Sequence, residues 1–146
     1  MKKIWVNGCF DILHIGHMRL LEYAKSLGGG GKLTVGIDSD SRVKSLKGDK
    51  RPINNQDTRK EMLMGIRWVD SVIVFNCEQE LENLIKTHSD TMVVGSDYKD
   101  KRVVGSEYSE VVFFDRIGEY STTNILFIFF ESLCGGGVMW SAPTWS

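Results

Sequence analysis

Three things are scarce in this chain of 146 residues, and each scarcity removes a class of protein. Charge imbalance is nearly absent: 18 Lys and Arg face 19 Asp and Glu, for a formal net charge of −1. No general polyanion-binding surface is implied, so any positive charge that matters is local and nucleic acid is not an expected partner. Cysteine is sparse: Cys9, Cys77 and Cys134 are widely spaced, odd in number and form no C-x-x-C pair. That usage argues against a disulfide scaffold or a zinc site and for reduced thiols in a cytoplasmic protein. Long apolar runs are missing too. The longest, Ile125-Leu126-Phe127-Ile128-Phe129-Phe130, falls far short of a bilayer, so no membrane is expected. The start Met1-Lys2-Lys3 has a signal-peptide flavour, but the apolar stretch behind it already stops at Asn7.

What is present reads as one globular domain. Short, uniformly apolar strands are expected over 4–7, 33–37, 72–75, 91–94 and 111–114. Between them lie helical patterns. One runs over 17–27, with Met18, Leu20, Leu21, Ala24 and Leu27 at helical spacing. A second starts at Asn54 or Asn55 and runs to about Trp68, with Met62, Leu63, Ile66 and Val69 inward. A third covers 78–87, with Leu81, Leu84 and Ile85 inward, and a last begins near Thr122 or Thr123. The polar, basic stretch 38–51 reads as a loop, and the four glycines 28–31 as a flexible or altered loop. Alternating strands and helices with uniformly apolar strands predict an α/β fold: a doubly wound sheet of about five parallel strands covered on both faces. Ligands of such sheets bind beyond the carboxyl ends of the strands, near the switch point.

The segment that bears on chemistry follows the first strand: Gly8-Cys9-Phe10-Asp11-Ile12-Leu13-His14-Ile15-Gly16-His17. Gly8 and Gly16 permit close backbone approach. His14 and His17, three apart at a helix start, lie roughly on one side. Backbone N–H groups, a helix N-terminus and two imidazoles at one point suit a phosphate chain. The bland alternative is a strand–helix turn with one histidine as a cap and the other on the surface.

This segment resembles the signature of the cytidylyltransferase-like nucleotidyltransferases. The resemblance implies a Rossmann-like fold and transfer of a nucleotidyl group from a nucleoside triphosphate to a phosphorylated acceptor. The family's triphosphate lysine matches Lys47, in Leu46-Lys47-Gly48-Asp49-Lys50-Arg51-Pro52, with Lys44 as the alternative. Arg59 stands where a helix arginine contacts nucleotide. Gly95-Ser96-Asp97-Tyr98 is similar to a Gly-x-Asp-aromatic segment beside acceptor and nucleotide. Tyr120-Ser121-Thr122-Thr123-Asn124-Ile125 resembles the Ser-Thr-Thr motif that holds the outer phosphates, although a helix cap alone would also explain those hydroxyls.

On that resemblance His14, His17, Lys47, Ser121 and Thr122 are the catalytic set. Gly8, Cys9, Phe10, Gly16, Lys44, Arg59, Gly95, Asp97, Tyr98 and Thr123 would line the nucleotide. Asp11 and Asp38 are the acceptor contacts, with a loop-organising role preferred for Asp11. The run Gly48-Asp49-Lys50-Arg51-Pro52-Ile53-Asn54 is similar to the heptose 1-phosphate adenylyltransferase group, which favours ATP and a sugar phosphate; a CTP-dependent glycerol-3-phosphate cytidylyltransferase is the runner-up. Magnesium accompanying the nucleotide and a homodimer are expected. The resembling part is 1–125, followed by a tail at 126–146 whose apolar block has no clear polar face. A nucleotide-binding module without turnover is the rival of another class. A Rossmann dehydrogenase is disfavoured because the first loop lacks G-x-G-x-x-G.

Overall fold

A computed structural model of the protein describes residues 1–115. Five strands form one sheet: β1 (Ile4–Gly8), β2 (Leu33–Asp38), β3 (Ser71–Phe75), β4 (Thr91–Gly95) and β5 (Glu110–Phe114). The order across the sheet is β3-β2-β1-β4-β5, and every pairing is parallel. The expected doubly wound α/β architecture is therefore present, with its switch point between β1 and β4. Four α-helices connect the strands: α1 (Ile15–Leu27), α2 (Asp40–Lys47), α3 (Gln56–Met64) and α4 (Glu78–His88).

Strand alternation sorts the core into two layers. Ile4 and Val6 of β1 pack with Val35 and Ile37, with Leu21 and Ala24 of α1, and with Leu63 of α3. On the opposite face Trp5 packs with Phe75, Met92, and Leu81 and Ile85 of α4. Helices thus cover both faces, which is why the strands read as continuously apolar.

Several expectations are corrected. The stretch after β2 is not all loop: Asp40–Lys47 is helical, capped by the Ser39 hydroxyl, which accepts from the Arg42 N–H at 3.3 Å. Val43 is the one buried side chain of this helix, so no apolar period marks it. Helix α3, capped by Asn55, ends at Met64. Met62 points outward at 57% exposure, because the buried stripe runs through Arg59 and Leu63 instead.

The glycine run is not surplus. Gly29 and Gly30 take positive φ values of 56° and 92°, and a Cβ on Gly31 would collide with the Lys2 carbonyl. The run closes tightly on the chain start, with the Lys2 N–H donating to the Gly28 carbonyl at 3.0 Å. The expected helix at Thr122 or Thr123 and the tail at 126–146 lie outside the described residues.

Candidate functional site

The site begins where the sheet parts. β1 pairs with β2 along its whole length, Ile4 to Gly8, but with β4 only at Ile4–Thr91 and Trp5–Met92. Beyond Trp5 the two strands diverge, and a cavity of about 260 Å³ opens between them. Its lining takes in the carboxyl ends of four strands, at Gly8, Asp38, Phe75 and Gly95. This is the crevice expected at the switch point of an open α/β sheet.

Three cations line the crevice. Helix α2 contributes Arg42 and Lys47, and Arg102 comes from beyond β4. Asp38 holds Arg42 through a 2.7 Å bond to Nε, and the guanidinium lies 5.6 Å over the Phe75 ring. Arg102 is anchored by Glu78 at 2.6 Å. Burial lowers the pKa of Lys47, an effect opposed in part by the neighbouring Cys9 and Asp38. Burial likewise raises the Cys9 thiol, against the pull of Lys47 and Arg59. Cys9 is therefore a thiol at neutral pH, while Lys47 is easier to discharge than a surface lysine.

The histidines are not part of this lining; they open α1, just after β1 ends at the crevice residue Gly8. Their imidazoles stack with centroids 3.8 Å apart. His14 is the N-cap of α1, and its Nδ1 accepts from the Gly16 N–H at 3.1 Å. His17 reciprocates: its Nδ1 accepts from the His14 N–H at 3.3 Å, which completes a capping box made of two imidazoles. An Nδ1 that accepts carries no proton, so in neutral rings the hydrogen sits on Nε2. The capping box thus fixes the tautomer of both rings, and the His14 Nε2 is buried. His17 leans on Phe10, 5.0 Å between ring centroids, and Phe10 lies against Gly8 at the crevice. Phe10 has φ +51°, a left-handed conformation that costs a bulky side chain about 1–3 kcal/mol and is held by its surroundings.

Those surroundings involve two residues expected at the ligand. Arg59 is buried and does not line the crevice. It is 1% exposed, and its guanidinium donates to the carbonyls of Cys9 (3.0 Å), Asp38 (2.7 Å) and Asn54 (2.9 Å) and to the Asp40 carboxylate (2.8 Å). It clamps the ends of β1 and β2 to α3. Asp11 is likewise buried and absent from the crevice lining. Its buried carboxylate accepts from Arg51 Nε (3.0 Å) and from the N–H groups of Ile53 and Asn54 (2.8 Å each). That is the loop-organising role.

The remaining expected residues fall in different places. Gly8, Cys9, Asp38, Lys47, Gly95 and Tyr98 line the crevice. Lys44 is exposed and off its lining, on the same helix as Lys47. Asp97 is exposed at the turn Ser96–Tyr98 beside Gly95. Gly16 sits in the first turn of α1. Ser121, Thr122 and Thr123 lie outside the described residues. Sequence reasoning missed Arg42 and Arg102. Arg42 falls in the segment read as loop, where its spacing from Lys47 carries no meaning.

The comparisons with known proteins agree with this geometry. The sequence model described as cytidylyltransferase-like matches residues 5–126. The bifunctional protein HldE of Campylobacter fetus subsp. fetus is 49% identical over 125 residues, 84% of this chain and 27% of the relative. The bifunctional protein HldE of Helicobacter hepaticus is 46% identical over 126 residues, 86% of this chain and 26% of the relative. The chain thus spans about a quarter of the length of these curated relatives. Among solved structures, the lipopolysaccharide core biosynthesis protein from Thermoplasma volcanium matches with a TM-score of 0.61 and 26% identity, over 81% of this chain and 97% of that one. A pantothenate synthetase from Thermus thermophilus, at 14% identity and a TM-score of 0.58 over 85% of this chain and 61% of that one, shares the fold. With its sheet, its switch-point crevice and its first-loop signature, the chain belongs to the cytidylyltransferase-like family of nucleotidyltransferases.

Proposed function

We propose that the chain transfers AMP from ATP to a sugar phosphate, such as a heptose 1-phosphate, and releases pyrophosphate. The observation that carries this reading is the stacked imidazole pair at the start of α1, directly after β1, whose end at Gly8 lines a crevice that also holds Arg42, Lys47 and Arg102. The similarity to HldE proteins and the run from Gly48 to Asn54 support ATP and a sugar phosphate over CTP and glycerol 3-phosphate.

The reaction is an in-line displacement. An anionic phosphate oxygen of the acceptor attacks the α-phosphorus, a new P–O bond forms, and the bond from the α-phosphorus to the bridging oxygen breaks as pyrophosphate leaves. The acceptor oxygen is already ionised at neutral pH, so no general base is required. The protein's task is to hold two polyanions in line and to neutralise the charge that develops. His14 and His17 donate to the α-phosphate and the bridging oxygen. Lys47 meets the triphosphate, with Arg42 beside it, and Ser121, Thr122 and Thr123 hold the outer phosphates.

Among the described residues no cluster of His, Cys, Asp or Glu could hold a metal ion. Magnesium would accompany the triphosphate, where it would offset phosphate charge. Residues 1–125 form the catalytic unit in this reading, which acts as a homodimer in the cytoplasm. No helix among the described residues is long and apolar enough to cross a membrane.

The deciding experiment is a pyrophosphate-release screen that crosses ATP, CTP, GTP and UTP with heptose 1-phosphate, glycerol 3-phosphate and related phosphates. Release with ATP and a sugar 1-phosphate is the expected result. Release with CTP and glycerol 3-phosphate replaces the substrate assignment. Nucleotide binding by calorimetry without release from any pair overturns the catalytic reading.

A further inference from the structure

Asn7 is the last β1 side chain on the Trp5 face before the crevice. Residues two apart on a strand share a face, so the carboxamide of Asn7 follows the indole of Trp5 along the same side of the sheet. The Trp5 Nε1–H donates to Asn7 Oδ1 at 2.9 Å. An indole nitrogen only donates, so this bond fixes which end of the carboxamide is oxygen. Nδ2 must then point away from Trp5. It donates to no acceptor among the described residues, and Asn7 is half-buried in the crevice lining.

The arrangement is built from the neighbouring strand as well. Asn7 sits opposite Gly36 of β2. A Cβ on Gly36 would run into the six-membered ring of Trp5. The bare glycine admits the fully buried indole at the depth where its N–H reaches Asn7. On the other side β4 has already left the ladder, so no strand covers the carboxamide. The lining around it carries three cations, Arg42, Lys47 and Arg102, against one carboxylate, Asp38, and this local excess of positive charge favours an anionic occupant.

We propose that Asn7 is a substrate-binding residue whose Nδ2–H donates to a phosphoryl oxygen at the floor of the crevice, and that Trp5 is the positioning residue that holds the carboxamide in that orientation. The proposal rests on the nucleotidyltransferase reading for the identity of the phosphate ligand, but not for its own test.

Inorganic pyrophosphate and ATP serve as probes. The indole ¹⁵N–¹H resonance of Trp5, assigned by its loss in Trp5→Phe, should move on titration with either probe, because the Trp5 bond ends on the carboxamide that takes the ligand. Asn7→Asp keeps the shape and the acceptor for Trp5 but replaces the donor with a negative charge. It should weaken probe binding by about tenfold or more with the thermal midpoint nearly unchanged. Trp5→Phe keeps the packed ring and frees the carboxamide to turn. It should raise KM for the nucleotide more than it lowers kcat, and Trp5→Phe combined with Asn7→Asp should be no weaker than Asn7→Asp alone.

Wild-type affinity in Asn7→Asp, or a Trp5 resonance that stays fixed at saturation, overturns the proposal while leaving the catalytic reading intact. Probe binding that depends on Asn7 in a protein without turnover supports the proposal and removes the catalytic reading instead. A wild-type protein that binds neither probe overturns both.

Discussion

Asp11 and Arg51 form a buried ion pair, 3.0 Å from carboxylate oxygen to Nε, that ties the loop after β1 to the segment leading into α3. Forty residues apart in sequence, they make the turn after β1 depend on a second stretch of chain. Removing one partner strands the other charge out of water. Asp11→Ala should therefore lower unfolding stability by about 3–5 kcal/mol in a denaturant titration. A loss below about 1 kcal/mol would mean that the carboxylate is not the organiser of this turn.

Arg59 separates a structural from a ligand role. Arg59→Lys cannot reproduce four bonds from a planar fork. It should cost roughly 2–3 kcal/mol of stability, while the nucleotide affinity of the folded fraction, measured by calorimetry below the unfolding transition, stays at the wild-type value. A variant of normal stability with weakened nucleotide binding would reverse the assignment.

The double duty of the imidazoles can be split. His17→Ala should reduce kcat by about a hundred- to a thousandfold, the usual effect of losing one charge-stabilising donor. His14→Ala should lose both turnover and about 1 kcal/mol of helix capping. Asparagine is a strong N-cap, so His14→Asn should restore the thermal midpoint without restoring turnover. Recovery of activity together with stability would show that His14 acts only as a cap.

Lys47 sets a pH dependence. Burial lowers its pKa, so its positive charge disappears at lower pH than that of an exposed lysine, whose value is about 10.4. A group that must be charged to meet phosphate loses function as the pH rises through its pKa. The alkaline limb of kcat/KM should therefore fall below the ordinary lysine range, and Lys47→Arg should move it upward. An alkaline limb that ignores this substitution would assign the titration to another group.

Much of this architecture was legible in the chain because parallel strands covered on both faces leave a plain signal. Ile4 to Val6, Leu33 to Ile37 and Thr91 to Val93 are buried at every position instead of every second one, with few polar residues among them, and each belongs to a strand of the sheet. Helix α2 was illegible for the opposite reason: it buries only Val43, so nothing in its composition sets it apart from a solvated loop. The histidine pair was visible through its spacing. The fate of Arg59 was not, because a nucleotide clamp and a buried strut are the same residue type at the same helix position. Only burial and four oxygens around the guanidinium distinguish them. Asn7 escaped notice because its meaning depends on where β4 departs, a property of two strands and not of either one.

That departure has a mechanical consequence. The three-strand leaf β3-β2-β1 and the two-strand leaf β4-β5 are stitched together near one end, at Ile4–Thr91 and Trp5–Met92, with the Lys3 carbonyl accepting from the N–H groups of Asp90 and Thr91 beside the stitch. At the far end the leaves stand apart. A molecule gripped by both acts as the missing stitch, so its grip and the cohesion of the sheet rise and fall as one quantity.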